Sequence, residues 1–168
     1  MSYTAAFEKA AALLQSLDFE ALYRKTGAIE KNGSISLRYF NETVGIHLPE
    51  VDFYPSSINF GEKILILHYL TTPGDTPTKG EFVNFKNLPN ASFYDPTYQK
   101  RGPLPLLNKF GNKPEGILRA LDTLEGVKES LGDISIRIPI FPKIESIVVF
   151  YKGDDEFPPS VSILFNDG

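Results

Sequence analysis

The spacing of apolar positions changes character twice along this chain. Phe7, Ala10, Ala11 and Leu14 recur at helical intervals, which predicts an amphipathic helix over residues 4–15. Asp18 is placed to cap a second short helix running to Tyr23, and Thr26-Gly27 supplies its stop. Alternation then takes over. Residues 28–31 and 34–39 alternate around Asn32-Gly33, the pair that a type I′ turn demands, so a β-hairpin is expected. A third strand is expected over 44–48, after a turn at Asn41-Glu42. Residues 61–71, GEKILILHYLT, form a long apolar run ended by Pro73-Gly74; its length favours a buried helix over a strand. Residues 81–85 read as a strand.

From 87 to 113 the chain is punctuated by Pro89, Pro96, Pro103 and Pro105, with short helices expected at 96–101 and 104–110. Pro114 suits the first turn of a helix reaching Leu124, with Ile117, Leu118 and Leu121 as its stripe and Gly126 just past its end. The last third is β, with strands at 134–138, 144–151 and 160–165. Pro139 and Pro142 cannot donate to a ladder, so 134–141 should be an edge, or break there. Helices and strands are segregated, and most strand connections are short. The pattern predicts an α+β fold: an antiparallel sheet with helices packed on one face, N-terminal helices followed by a hairpin, and a C-terminal β meander. No repeat or linker divides the 168 residues, and that length fits a single domain over 1–168.

Composition narrows the chemistry. There is no cysteine, which excludes disulfides, thiolate catalysis and an iron–sulfur cluster held by this chain. The net charge of −4 makes nucleic acid a poor partner. Acidic residues interrupt the first 25 positions, which do not read as a secretory signal. No run approaches the about 20 apolar residues of a membrane span. A cytoplasmic, soluble protein is expected, with no membrane partner.

Asp154, Asp155 and Glu156 stand between two apolar runs. The plainer reading is a solvated hairpin tip that resists edge pairing. The alternative is an oxygen-rich magnesium or calcium site, joined by Asp133 if its strand end falls beside the loop. Neighbours in an extended segment point to opposite faces, so at most two of the three can share an ion. Asp167 is expected at the far end of the hairpin. Such a site would suit a metal-assisted hydrolase or transferase, with His68 as its base. His68 in its apolar run reads more simply as a core residue. No Ser-His-Asp set, nucleophile elbow or phosphate loop is present, and Gly74, Gly80, Gly102 and Gly111 are isolated.

The stretch YDPTYQKRGP, residues 94–103, draws more attention. Residues 86–119 hold six basic residues against Asp95 and Glu115, whereas 144–168 hold five acids against Lys152. The two could pair inside the fold, Lys100 or Arg101 facing Asp154 or Asp155. Otherwise Tyr94, Tyr98, Lys100 and Arg101 form an anion site, a planar guanidinium between amphipathic walls. Phe82, Phe85, Phe93 and Tyr98 could also form an exposed patch for a protein partner.

The ordered segments ILILHYL, GEFVNFKNLP, YQKRGPLPLLNKFG, GDISIRIPIFPKI and GDDEFPPSVSILFND resemble the domain-of-unknown-function family 3786, over residues 61–168. The resemblance implies no established activity. It implies a setting in anaerobic bacteria and archaea, and a pattern continuing past Gly168. Some members carry an extra iron–sulfur domain, so the partner implied is an iron–sulfur or corrinoid protein. Lys100, Arg101, Asp133, Asp154, Asp155 and Glu156 match the polar positions of that pattern. The function expected is a non-catalytic binding or accessory module for a small anionic ligand or a partner protein; the alternative is the metal-assisted enzyme.

Overall fold

The computed structural model describes residues 3–72 and 80–166; Pro73, Gly74 and Asp167 lie outside the described residues. Two compact units emerge: Met1–Thr76 with Phe141–Lys143, and Pro77–Ile140 with Ile144–Gly168.

In the first unit, α1 (Tyr3–Gln15) and α2 (Phe19–Thr26) precede a four-stranded antiparallel sheet and α3 (Phe60–Thr71). The sheet runs β1 (Ile29–Lys31), β2 (Ser34–Tyr39), β3 (Glu42–His47) and β4 (Asp52–Tyr54) in sequence order. Its core includes Leu14, Ile35, Leu37, Val44, Ile46, Ile66 and Leu67, all sealed from solvent. The helix signals act as expected. The Asp18 carboxylate accepts the Glu20 N–H, and Gly27 ends α2 at φ +72°. Asn32 and Gly33 both take positive φ, and Lys31 pairs with Ser34 across the turn.

Two expectations shift here. Tyr39 pairs with Glu42, so the second turn is Phe40-Asn41, with Phe40 at φ 51°. The run at 61–71 is helical, opened by a capping box in which Asn59 and Glu62 exchange hydrogen bonds of 3.0 Å. Its buried stripe is Ile66, Leu67, Leu70 and Thr71. His68 is rotated away from that stripe and is exposed, which overturns its reading as a core residue. His47 is also exposed, its Nδ1 2.6 Å from the Ser34 hydroxyl. Phe141 belongs to this unit too. Its ring lies flat on Tyr69 at 4.1 Å, and the Tyr69 hydroxyl donates to the Thr26 carbonyl at 2.6 Å.

The second unit holds a five-stranded sheet in the order β5-β9-β8-β7-β6. These strands are β5 (Phe82–Asn84), β6 (Val127–Glu129), β7 (Ile134–Phe141), β8 (Ile144–Tyr151) and β9 (Ser160–Asn166). Between β5 and β6 come α4 (Asp95–Arg101), α5 (Pro103–Phe110), a 3₁₀ segment over Pro114–Arg119 and α6 (Ala120–Thr123). The helix expected from Pro114 is therefore 3₁₀ in its first half, where Gly116 weakens the α form. β7 runs through Pro139 without breaking. Its pairing with β6 ends at Arg137, two residues before Pro139. α4 and α5 cover the face of β9 that carries Ile163 and Phe165. Gly102, at their junction, lets Ile163 approach to 3.3 Å of where a Cβ would stand. The fold is α+β, with two antiparallel sheets rather than one.

Candidate functional site

The site begins with a mismatch of strand lengths in the second unit. β9 has seven residues, but β5 pairs only with Leu164, Phe165 and Asn166. At Phe85 the chain leaves the ladder for a 3₁₀ turn over Phe85–Asn87, closed by Leu88 N–H on the Phe85 carbonyl. Ser160–Ile163 therefore lack a strand partner on that side among the described residues.

α4 flanks the gap. The Tyr98 ring stacks on Phe85 at 4.0 Å and 11°, with the Phe165 ring edge-on at 6.0 Å. The Tyr98 hydroxyl donates to the Ile163 carbonyl at 3.3 Å. Burial first, and the Asp95 carboxylate second, push the Tyr98 hydroxyl up to about 12. Beside this stack opens a groove of about 360 Å³, lined by Asn84, Lys86, Asp95, Tyr98, Gln99 and Ser162 among others. A neighbouring apolar hollow of about 280 Å³ shares Gln99, Pro103 and Val161 with it and adds Lys100, Leu104 and Leu107.

The sequence-predicted residues divide around this groove. Tyr98 forms its wall and Lys100 the side of the adjoining hollow. Arg101 ends α4 and is exposed. Tyr94 ends the preceding 3₁₀ turn with its residue surface 68% exposed, next to Phe93 at 90%. Lys100 and Arg101 form no ion pair among the described residues, with the acidic loop or elsewhere. The expected aromatic patch is dismantled: Phe85 and Tyr98 are stacked and half-buried, Phe82 is half-buried, and Phe93 alone stands out.

The acidic loop joins β8 to β9 and lies against residues 111–115, around a hollow of about 440 Å³. Asp154 holds it closed. Its Oδ1 accepts the N–H groups of Glu156 at 2.9 Å and Phe157 at 2.7 Å, and these bonds hold its carboxyl below the usual carboxylate range. Asp133 does reach the base of this loop, where its Oδ2 accepts the Lys152 N–H at 2.7 Å. The Lys152 ammonium pairs with Glu115 at 2.7 Å, which raises the lysine and lowers the glutamate from their ordinary values. Asp155 and Glu156 are exposed at the tip. No group of three or more acidic or imidazole side chains among the described residues could hold a metal ion. The carboxylates of Asp133 and Asp154 are instead engaged by backbone donors.

Sequence reasoning missed Asn84, Lys86, Gln99 and Val161–Ile163 as groove residues. The available signal was the shortness of the 81–85 strand against the 160–165 strand. Among the described residues no helix is long and apolar enough to cross a membrane.

Comparison with known proteins gives one result. Neither the curated proteins nor the solved structures contain a match. The family model described as Domain of unknown function (DUF3786) matches residues 18–168, so the likeness seen over 61–168 extends back through α2 and the four-stranded sheet. The chain belongs to the domain-of-unknown-function family 3786.

Proposed function

We propose that this protein is a non-catalytic binding or accessory module that takes an acid-bearing ligand at the groove between α4 and β9. One observation carries the reading: Lys100, exposed and without an ion-pair partner among the described residues, lines the hollow that adjoins a groove walled by the Phe85–Tyr98 stack, and Arg101, exposed and likewise unpaired, follows it at the end of α4. A basic pair next to an aromatic wall supplies charge for a carboxylate or phosphate and apolar surface for the group bearing it. The ligand class is therefore a small anion or an acidic segment of a partner protein. The family setting makes an iron–sulfur or corrinoid protein the partner to try first.

The test is thermal unfolding with citrate, inorganic phosphate and an acetylated glutamate peptide. A ligand at about 100 times its Kd stabilises by about 2.7 kcal/mol. The expected result is a raised midpoint with at least one of them, lost in the Lys100→Ala/Arg101→Ala variant. A midpoint unmoved by all three, or a shift that survives in the variant, overturns the reading.

A further inference from the structure

The open edge of β9 says more about the ligand than the charges do. The Asp133 N–H bonds the Phe150 carbonyl at 3.0 Å, so the backbone of Phe150 faces β7. Phe150 stands opposite Val161 in the β8–β9 ladder. In an antiparallel pair, a residue turned away from its partner leaves that partner turned away too. Val161 therefore presents both its N–H and its C=O to the side that β5 abandons. No described backbone group takes either. Ile163 has the same orientation, and its carbonyl is the one that accepts the Tyr98 hydroxyl.

Resting on the binding reading above, we infer that the groove takes an extended acidic peptide segment of a partner protein, which adds to β9 as a strand in the line of β5. Three features select that occupant. The unpaired groups of Val161 offer one acceptor and one donor at strand spacing, which a free anion cannot use together. Pro103, Leu104, Leu107 and Val161 form an apolar hollow further along the same edge, suited to an alternate side chain of a strand. Lys86 lines the groove together with Asp95, and Lys100 is the charged residue of the apolar hollow, so the surplus basic charge along this edge favours acidic side chains between the apolar ones.

The experiment uses the full chain and fluorescein-labelled acetyl-Glu-Val-Glu-Val-Glu-Val-amide, followed by anisotropy. Two further peptides are N-methylated, one at every Glu and one at every Val. An added strand turns one set of N–H groups to β9 and the other to solvent. One methylated peptide should therefore bind at least about tenfold more weakly, while the other is tolerated. Val161→Pro removes the edge N–H without breaking the β8–β9 ladder, and about tenfold weaker binding is expected there also. Lys100→Ala should weaken all the peptides.

Binding of all three peptides with equal affinity, or binding of citrate but of no peptide, overturns strand addition and leaves the anion-binding reading standing. Silence from citrate, phosphate and every peptide overturns both. Dimerisation in sedimentation, with the Val161 amide protected from exchange before any peptide is added, makes a second copy the occupant and overturns the inference.

Discussion

Tyr98 is the side chain on which the groove depends, and its two parts make separable contributions. Tyr98→Ala removes the stack on Phe85 at 4.0 Å and the edge contact with Phe165 at 6.0 Å. Truncating a fully buried aromatic costs about 3–5 kcal/mol, and Tyr98 is only half-buried, so about 2 kcal/mol is lost from packing. The aromatic geometry adds about 0.5–1.5 kcal/mol. A total near 3 kcal/mol lowers the melting midpoint of a chain this size by about 5–10 °C. Tyr98→Phe keeps the stack and gives up one long hydrogen bond of 3.3 Å to Ile163, worth less than about 1 kcal/mol. Its midpoint should fall by no more than about 3 °C.

The same pair of variants gives a pH test. The Tyr98 hydroxyl is held at about 12 in the fold, above its ordinary value of 10.0. The unfolded chain releases that proton first, so the contribution is complete below pH 10 and is lost as pH rises from about 10 to about 12. Tyr23, Tyr39 and Tyr69 are also raised by burial and share in the alkaline loss. Wild type should lose more stability than Tyr98→Phe across that window, by scanning calorimetry at matched ionic strength. Equal midpoints for Tyr98→Ala and wild type, or parallel alkaline curves for wild type and Tyr98→Phe, would refute this reasoning.

Three further outcomes follow from the packing. Phe141→Ala empties the place against Tyr69 and should cost about 3–5 kcal/mol in urea denaturation; a loss below about 1 kcal/mol would show that the stack does not hold the first unit. Gly27→Ala would force a left-handed conformation and set a Cβ 2.8 Å from the Pro142 Cβ, whereas Gly33→Ala meets only the conformational strain, so Gly27→Ala should lower the melting midpoint clearly more. Asp154→Ala should speed hydrogen exchange at Glu156 and Phe157, while Asp154→Asn retains the Oδ1 acceptor and most of the protection; identical exchange in both variants would contradict the loop-closing role.

Much of the fold was legible where a local rule decides the outcome. Asn32-Gly33 can adopt the backbone of a tight hairpin, Asp18 and Gly27 can bound a helix, and the length of the 61–71 run suits a helix, as found. β4 and β6 were not foreseen because three residues are too few to show a period. The candidate site was legible only in its helix. Tyr98 and Lys100 announce themselves by type, but the groove exists because β5 ends at Asn84 while β9 continues, and that depends on pairing between residues about 80 positions apart. The contacts of the acidic loop were not legible for a related reason. Lys152 finds Glu115, 37 positions away, and Asp154 spends its carboxylate on its own turn.

The most direct test of the binding account is a ¹H–¹⁵N titration of the isotope-labelled chain with the acidic hexapeptide. Progressive, saturable shifts should concentrate at residues 84–86, 95–101 and 160–163, with Val161 among the largest. Shifts confined to residues 152–159, or a spectrum unchanged at millimolar peptide, would contradict it.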